Sequence, residues 1–365
     1  MMSKKVVVGM SGGVDSSVAA YLLKEQGYDV IGVTMEIWQN EPNWKMEQEG
    51  GCCGLSAVED ARRVASMIGI PHYVMNFRDV FQKKVIDYFV REYQLGRTPN
   101  PCIACNRYVK WEALLQRSLE LGADFIATGH YASIKKCDNG RYAIVKSESG
   151  YKDQSYALYN LTQEQLKHTL MPVGEYEKDR IRQIAEEQRL PVAHKPDSQE
   201  ICFIPDNNYK RFLEEETGEK ASEGNFVDCE GTVIGRHRGI THYTVGQRKG
   251  LNLALGHPVF VVEIRPETNE VVIGQNEDVY AESLLAADLQ FMATDQYEEG
   301  QRMLAKIRYS DKGQMCTVKQ VNGDSMKIIF DQKVRAVTPG QAVVFYQDHM
   351  VLGGGTIVKG FCGSD

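Results

Sequence analysis

Residues 5–17 read K-V-V-V-G-M-S-G-G-V-D-S-S, a strand pattern that leads through a glycine-rich turn into a helix pattern. Its β-branched start predicts a short buried strand, and residues 15–25 predict a helix that ends at Gly27. The glycines between them let the backbone approach a ligand closely, and the N–H groups of a loop that opens a helix attract anions. We therefore predict a phosphate loop at residues 9–17, the alternative being an ordinary strand-to-helix turn.

This loop differs from two common nucleotide-binding patterns. It has neither the G-x-x-x-x-G-K-[ST] spacing nor the G-x-G-x-x-G spacing, which disfavours kinases, GTPases and dehydrogenases. Its S-G-G-x-D-S pattern resembles the ATP-pyrophosphatase (PP-loop) superfamily at every position, which implies ATP cleavage between the α and β phosphates. In a parallel sheet the ligand lies beyond the carboxyl ends of the strands. The predicted ATP contacts are Gly9, Met10, Ser11, Gly12, Gly13, Val14, Asp15, Ser16, Met35 and Gly129.

Outward from the loop, strand and helix patterns alternate through the first two hundred residues. Strands are predicted at 29–37, 72–76 and 125–128, and helices at 56–68, 80–93, 107–121 and 177–188. This alternation indicates an α/β fold with a doubly wound parallel sheet. The turn Asp138-Asn139-Gly140 predicts a hairpin at 135–146.

From about residue 224 the pattern changes to short strands separated by turn residues, which predicts small β-barrels. We place domain boundaries near residues 207 and 281. The resulting prediction is a PP-loop catalytic domain at 1–207, a central β-rich domain at 208–281 and a C-terminal β-barrel at 282–365.

The composition is that of a water-soluble protein with unevenly distributed charge. The 365 residues carry a formal net charge of −7, and no apolar run is long enough to span a bilayer or act as a signal segment. We therefore expect a cytoplasmic protein with no membrane partner.

Residues 231–265 carry five Arg/Lys against one acid, and 302–335 carry eight against three. Such stretches bind a phosphate backbone or form a solvated face.

The nine cysteines are an odd number and need separate interpretation. Cys105 precedes a predicted helix, whose dipole favours a thiolate, and Cys202 lies in a predicted loop. From spacing alone, Cys102-x-x-Cys105 is half a zinc site, a redox pair or incidental. Structural zinc is disfavoured because there is no second C-x-x-C. The cysteines predicted to be structural are Cys52, Cys53, Cys137, Cys229, Cys316 and Cys362.

Four further motifs narrow the family. They are T-P-N-P-x-x-x-C-N at 98–106, T-G-H-Y-A at 128–132, K-D-Q-S-Y at 152–156 and D-S-Q-x-I-C-F-I at 197–204. Together they resemble the tRNA-specific 2-thiouridylase (MnmA/TrmU) family over essentially the whole chain. The resemblance implies ATP-dependent 2-thiolation of the wobble uridine of tRNA. By it, Cys105 is the nucleophile, Cys202 bears a persulfide, and the two form a transient disulfide. It also implies tRNA contacts at Asn100, Pro101, Cys102, His130, Lys152, Asp153, Gln154, Arg308, Tyr309 and Gln341.

The implied cycle uses ATP with Mg²⁺, and its persulfide comes from a cysteine desulfurase or a sulfur-relay protein. The flipped uridine is adenylated on its C2 oxygen. The persulfide sulfur then attacks C2 directly or is released as hydrosulfide by Cys105. Many family members have aspartate where this chain has Cys102. A thiol, with an ordinary pKa of about 8.5 against about 3.9 for aspartate, does not replace a carboxylate base.

Three alternatives stay open at this point. One is another PP-loop ligase or amidotransferase, which needs neither Cys105 nor Cys202. A second is a non-catalytic RNA-binding protein with a vestigial nucleotide site. The third, less favoured than simple thiol chemistry, is a thiolase whose iron–sulfur cluster is held by Cys102, Cys105 and Cys202. No other metal site is predicted.

Overall fold

The computed structural model describes residues 3–37, 55–197 and 201–363. The chain divides into two compact units. The first comprises Met1–Ile86, Pro101–Asn207 and His349–Val351, and the second comprises Asp87–Asn100, Asn208–Asp348 and Leu352–Asp365. The three-domain division at residues 207 and 281 stays a prediction. The adjacent Cys52 and Cys53 lie outside the described residues, so their predicted structural role is not addressed.

Five parallel strands form the central sheet of the first unit. Their bounds are β1 Lys5–Gly9, β2 Asp29–Glu36, β3 His72–Asn76, β4 Phe125–Ala127 and β7 Thr169–Leu170. The spatial order is β3-β2-β1-β4-β7, with Val7 opposite both Ile31 and Ile126. The predicted doubly wound parallel sheet is confirmed. The two-residue strand β7 is too short to have given a periodic signal.

Helices on one face of this sheet bury its β-branched side chains. Val6 and Val8 of β1 pack in one cluster with Val18, Val64 and Ile181. Each of these side chains contributes roughly 1.5–3 kcal/mol when fully buried, so the helices fix the strand ends firmly. The corresponding helices are Val14–Glu25, Leu55–Ile68 and Lys178–Glu187.

A continuous helical stretch surrounds the C-x-x-C motif. It runs through the α-helix Pro101–Ala104, the π-helix Cys105–Leu114 and the α-helix Leu115–Glu120. The helix therefore begins about six residues earlier than predicted, and the expectation that Cys105 lies just before its N-terminus is wrong. Proline suits the first helical position because its missing N–H would have no intrahelical partner there. Cys102 therefore lies in the first helical turn, and Cys105 lies one turn further along the helix.

The remaining elements of the first unit are short. The predicted hairpin is confirmed as β5 Ala132–Lys136 and β6 Tyr142–Lys146, with Gly140 at φ 83° in the turn. Short helical segments complete the unit: Arg78–Phe81, the π-helix Gln82–Ile86, the 3₁₀ turns Gly150–Lys152 and Ser155–Leu158, and Gln163–Lys167.

The second unit contains a small four-stranded sheet and two helices. Its strands are β8 Gly224–Val227, β9 Val233–His237, β10 Phe260–Arg265 and β11 Glu270–Gly274, in the order β10-β11-β8-β9. Phe226 and Tyr243 are in its apolar core. The helices Asp87–Gln94 and Tyr209–Thr217 meet through stacked rings of Tyr93 and Tyr209, whose centroids are 5.1 Å apart.

A closed barrel of six antiparallel strands completes the second unit. The strands are β12 Tyr280–Phe291, β13 Arg302–Lys306, β14 Gln314–Asn322, β15 Ser325–Arg335, β16 Ala342–Gln347 and β17 Met350–Phe361. Closure occurs because β12 pairs with both β15 and β17, and the predicted C-terminal barrel is confirmed. The register of β12 shifts at several points. These shifts interrupt the alternation of inward- and outward-facing side chains, so the sequence pattern does not predict this strand.

Candidate functional site

The predicted phosphate loop lies where the strand order of the parallel sheet reverses. β1 pairs with β2 on one side and with β4 on the other, so the loop after β1 and the segment after β4 meet at one edge. That position is the usual ligand crevice of an open parallel sheet. A Cβ atom added to Gly129 would lie 2.6 Å from the backbone of Asp15 and of Ser16. The structure therefore brings Gly129 against the loop, and its contact with ATP stays a prediction.

Internal contacts hold the loop in one shape. Gly12 has φ 68°, and a Cβ atom there would meet the backbone oxygen of Ala57. Ser11 donates its N–H to Ser16 Oγ at 3.2 Å, and Ser17 Oγ donates to the Gly13 carbonyl at 2.8 Å. The loop is thus preformed before any ligand arrives, which lowers the entropy cost of binding.

The apolar side chains among the predicted ATP contacts are largely or partly buried. Met10 and Val14 are 2% and 3% exposed, and Met35 is half-buried in β2. The Met10 N–H donates to the Val33 carbonyl at 2.8 Å, and its carbonyl accepts from Thr34 Oγ1 at 2.9 Å. Met10 therefore ties the loop to β2.

A buried lysine that the sequence analysis missed holds Asp15. Lys178 Nζ lies 2.7 Å from Asp15 Oδ1 and 2.9 Å from Oδ2, and its residue is only 3% exposed. The Tyr131 hydroxyl donates to Asp15 Oδ1 at 2.7 Å. Burial, followed by the Asp15 charge and hydrogen bond, raises the pKa of Tyr131, so the hydroxyl keeps its proton and acts as a donor.

The same lysine reaches Asp197, five residues before Cys202. Asp197 Oδ1 lies 2.8 Å from Lys178 Nζ and 2.9 Å from an Arg182 nitrogen, and Oδ2 lies 2.7 Å from Lys152 Nζ. Burial by itself would raise the pKa of Asp197, but the hydrogen bonds and charges of Lys152 and Lys178 outweigh it and lower the pKa to about 2. Asp197 is therefore ionised throughout the physiological range.

A further lysine braces the loop from another side. Lys195 Nζ lies 3.1 Å from the Gly12 carbonyl and 2.8 Å from Asp60 Oδ2. Among the described residues, the ion pairs that surround the loop join four cations to three carboxylates, so this network carries one surplus positive charge. That surplus adds to the helix N-terminus of Val14–Glu25 and favours an anionic ligand. The cations are Lys152, Lys178, Arg182 and Lys195, and the carboxylates are Asp15, Asp60 and Asp197.

Cys105 begins the π-helix and is partly exposed. The next residue, Asn106, is buried and donates from Nδ2 to the Ala157 carbonyl at 2.9 Å, and its Oδ1 accepts from Lys110 Nζ at the same distance. Such π-helical segments occur often at functional sites. The structure thus fixes the backbone beside Cys105 through a satisfied amide.

His130, in the segment after β4, contacts Lys110, which lies one helical turn beyond Asn106. Its Nε2 is 3.4 Å from Lys110 Nζ and its Nδ1 is 2.8 Å from Thr128 Oγ1. Because the ammonium has only protons to offer, Nε2 accepts and Nδ1–H donates to Thr128. Burial, then the nearby Lys110 charge, lowers the pKa of His130 well below its ordinary value, so the ring is neutral at pH 7.

Cys202 occupies a turn that a buried aromatic contact anchors. The Ile204 N–H donates to the Ile201 carbonyl at 2.8 Å, which places Cys202 in the turn, partly exposed. Phe203 is buried and packs edge-on against Phe81, with ring centroids 5.7 Å apart. The helix that contains Phe81 also contacts the π-helix that begins at Cys105. Both cysteines therefore belong to one packed region of the first unit.

The other predicted tRNA contacts lie in varied settings. Asp153 accepts the Ser155 hydroxyl at 2.8 Å, and Gln154 Oε1 accepts the Tyr131 N–H at 2.9 Å, so both make internal bonds within the first unit. Cys102 is exposed, and Pro101 is buried. These assignments stay predictions.

In the second unit, Gln341 Nε2 donates to the Thr98 carbonyl at 2.8 Å. Arg308 and Tyr309 follow β13, and Tyr309 is 45% exposed. Asn100 also belongs to this unit and is half-buried. The predicted tRNA contacts are therefore distributed over both units of the chain.

Cys316 behaves as a structural cysteine. It is fully buried, and burial followed by the Asp331 charge raises the pKa of its thiol to about 12.

Within residues 3–37, 55–197 and 201–363, no group of three or more His, Cys, Asp or Glu side chains is placed to hold a metal ion. None of the helices in those ranges is long and apolar enough to cross a membrane.

Three sequence-family models match successive parts of the chain. Their descriptions are tRNA methyl transferase HUP domain at residues 4–206, tRNA methyl transferase PRC-barrel domain at 210–275 and aminomethyltransferase beta-barrel domain at 281–357. The first of these covers more than half of the chain.

Curated relatives match over nearly the whole length. The chain is 65% identical over 356 residues to the tRNA-specific 2-thiouridylase MnmA of Lachnoclostridium phytofermentans, covering 98% of this chain and 100% of that protein. It is 56% identical over 359 residues to the protein of the same name in Clostridioides difficile, covering 98% and 99%. Among solved structures, the NMN synthetase of Francisella tularensis matches with a TM-score of 0.33 and 14% identity over 60% of this chain and 79% of that chain. A likeness at that level supports no further conclusion.

Proposed function

The chain belongs to the family of tRNA-specific 2-thiouridylases, and from that membership we propose that it replaces the C2 oxygen of the tRNA wobble uridine with sulfur, using ATP. The observation that carries the proposal is one linkage within the first unit. Lys178 joins Asp15, at the phosphate loop, to Asp197, which precedes Cys202 by five residues. One side chain thus links the phosphate loop to the aspartate that begins the D-S-Q-x-I-C-F-I motif containing Cys202.

The family models and the relatives carry descriptions of different chemistry. The first mention methyl transfer, whereas the relatives are named for thiolation. Methyl transfer needs neither an S-G-G-x-D-S phosphate loop nor two accessible cysteines. Cys105 and Cys202 are both partly exposed, and the loop is preformed. The residues of this chain therefore favour thiolation.

We assign ATP to the phosphate loop. The N-terminus of the helix Val14–Glu25 and the surplus positive charge around it suit a polyphosphate. Both oxygens of Asp15 already accept hydrogen bonds from Lys178, so Asp15 is poorly placed to bind Mg²⁺ as well. We therefore assign Mg²⁺ to the phosphate oxygens of the nucleotide itself, where it screens their charge.

Adenylation makes the uracil oxygen a leaving group. The C2 oxygen of the flipped uridine attacks the α-phosphorus, the bond to the β-phosphate oxygen breaks, and pyrophosphate departs. The preformed loop stabilises the charge that develops on the phosphates. Gly129 lets its segment pack directly against the loop backbone, because any side chain there would collide with Asp15 and Ser16.

Sulfur transfer then uses the two cysteines in turn. The terminal sulfur of a Cys202 persulfide attacks C2, and AMP leaves with the original oxygen. The Cys105 thiolate attacks Cys202 Sγ, which releases 2-thiouridine and forms a Cys105–Cys202 disulfide. In the alternative order, Cys105 first frees hydrosulfide from the persulfide, and hydrosulfide attacks C2. A cysteine desulfurase or relay protein supplies the persulfide, and a dithiol reductant restores both thiols.

The test is mass analysis of tRNA nucleosides after reaction with purified variants. We expect Cys105→Ser and Cys202→Ser each to abolish 2-thiouridine formation with a desulfurase as the sole sulfur source. Cys316→Ser, a matched control far from the loop in sequence, should leave it intact. Release of AMP and pyrophosphate should require tRNA. Wild-type yields from both cysteine variants would exclude the proposal and favour another PP-loop ligase.

A further inference from the structure

The phosphate loop carries no lysine of its own. A G-x-x-x-x-G-K-[ST] loop supplies a lysine to the bound phosphates from within its own sequence, whereas residues 9–17 contain no basic side chain. In the folded chain, two lysines from a distant part of the sequence reach the loop instead, Lys178 at Asp15 and Lys195 at Gly12. These two lysines differ in whether an N–H donor remains for a ligand.

Lys178 has no N–H donor left for a ligand. Its Nζ lies 2.7 and 2.9 Å from the two oxygens of Asp15 and 2.8 Å from Asp197 Oδ1, and its side chain is 4% exposed. An ammonium has three N–H donors, and these three contacts account for all of them. Lys178 therefore orients the two carboxylates and is not available to a nucleotide.

Lys195 has two side-chain contacts among the described residues and is still accessible. Its Nζ lies 3.1 Å from the Gly12 carbonyl oxygen and 2.8 Å from Asp60 Oδ2, and its side chain is 33% exposed. Two of its three donors are thus engaged, and one N–H remains. An Arg182 nitrogen donates to the carbonyls of Ala193 and Lys195, at 3.0 and 3.2 Å. These bonds fix the backbone that carries Lys195.

We propose that Lys195 supplies the phosphate-contacting ammonium that the loop sequence lacks, and that its remaining N–H donates to a phosphate oxygen of ATP; this inference rests on the proposed function. A charge-assisted N–H···O bond is about 2.7–2.9 Å long, so that oxygen lies within about 6 Å of the Gly12 carbonyl oxygen, at the loop itself. Lys195 keeps its contacts with Gly12 and Asp60 while it binds phosphate, so no existing hydrogen bond has to break. Its charge also offsets the carbonyl oxygen of Gly12, which would otherwise repel a phosphate.

A purely structural role is the competing explanation, because Lys195 also ties Gly12 to Asp60 of the helix Leu55–Ile68. The two roles differ in what they predict for Asp60. If Lys195 is only a brace, cutting the brace at either end weakens nucleotide binding, so Lys195→Met and Asp60→Ala behave alike. If Lys195 binds phosphate, Asp60→Ala keeps the ammonium and removes a carboxylate that repels the nucleotide, so the affinity is kept or increased.

Calorimetric titration of the full chain with a non-hydrolysable ATP analogue measures this difference. We expect Lys195→Met to weaken binding about 10- to 100-fold, the range for a lost hydrogen bond to a charged group. Asp60→Ala should bind the analogue at least as tightly as the wild type. Lys195→Arg should recover part of the loss, because it keeps the positive charge but presents its donors in a different geometry.

Lys24 provides a matched control. It lies in the last turn of the helix Val14–Glu25, at the end away from the loop, and its Nζ donates to the carbonyls of Ile68 and Gly69. Lys24 therefore braces the helix Leu55–Ile68 as Lys195 does, but at its opposite end. Lys24→Met should leave the affinity for the analogue unchanged.

Because tRNA is a second source of phosphate groups, titration with tRNA distinguishes the two ligands. We expect Lys195→Met to keep the wild-type affinity for tRNA. Lost tRNA affinity with unchanged affinity for the analogue would overturn the assignment to ATP, and so would equal losses of analogue binding in Lys195→Met and Asp60→Ala. A wild-type protein that fails to bind the analogue overturns the proposed function instead. Where Lys195→Met fails to fold, Lys195→Gln replaces it, since it keeps a donor and loses the charge, and it should also bind the analogue more weakly.

Discussion

Gly12→Ala tests whether the phosphate loop is held in its shape by packing against the protein. Gly12 has φ 68°, a conformation that costs an alanine roughly 1 kcal/mol relative to glycine. The added Cβ would also lie 2.7 Å from the Cα atom of Ala57 and 2.9 Å from its carbonyl carbon. These are backbone atoms of the helix Leu55–Ile68, so they move only with the helix, and such overpacking costs about 1–3 kcal/mol.

The two costs together predict a loss of about 2–4 kcal/mol in the free energy of unfolding of the first unit. For a unit of 150–250 residues this lowers the thermal midpoint by about 4–16 °C. Gly13→Ala is the matched control, because Gly13 is extended at φ −98° and its nearest neighbour would be Ser11 Oγ at 3.5 Å. Its stability should match the wild type within about 0.5 kcal/mol.

Differential scanning calorimetry of the three proteins measures the midpoints directly. Titration with a non-hydrolysable ATP analogue then reports the loop itself, and Gly12→Ala should bind more weakly than wild type because the loop backbone is displaced. If Gly12→Ala and Gly13→Ala unfold within about 1 °C of each other, the steric argument from Ala57 is refuted. The contact between Gly12 and the backbone of Ala57 would then not be what holds the loop in its shape.

Three further outcomes are expected. Cys102→Ala should keep measurable thiolation while Cys105→Ala keeps none; stoichiometric iron that is lost together with activity in Cys102→Ala would favour the cluster alternative instead. Arg236→Ala combined with Arg238→Ala should weaken binding to all tRNA substrates. The slope of the logarithm of the binding constant against the logarithm of the salt concentration should become shallower by roughly 0.7–0.9 units per lost phosphate contact. An unchanged slope would mean that both arginines belong to a solvated face. The pKa of Asp197 is lowered from 3.8 in the unfolded chain to about 2 in the folded protein. The ionised carboxylate therefore contributes its full stabilisation above the unfolded pKa, and this stabilisation is lost as the pH falls through the folded pKa. The stability difference between wild type and Asp197→Asn should thus be constant from pH 5 to 7 and shrink below pH 4, and a constant difference at all pH values would contradict this assignment.

Some errors of sequence interpretation have a local physical cause. The segment Thr98–Pro99–Asn100–Pro101 has the composition of a loop, so its pattern predicts a helix only from residue 107. In the structure the helix begins at Pro101, a position where proline is favoured rather than tolerated. That preference was available in the sequence, but the preceding proline and asparagine obscured it. The consequence is chemical, because it moves the first helical turn from Cys105 to Cys102.

Local sequence patterns alone were sufficient to predict the parallel sheet, the hairpin and the glycine-rich turn between β1 and the helix that follows it. Each of these is recorded in a few neighbouring residues, such as the glycines and serines that follow β1. The position of Lys178 between Asp15 and Asp197, and the closure of the barrel by pairing of β12 with β17, became visible only in the folded chain. Contacts across 163 residues leave no periodic trace in either partner's surroundings. They arise because packing of the helix Lys178–Glu187 against the sheet brings its first residue to the loop, where burial makes every charge require a partner.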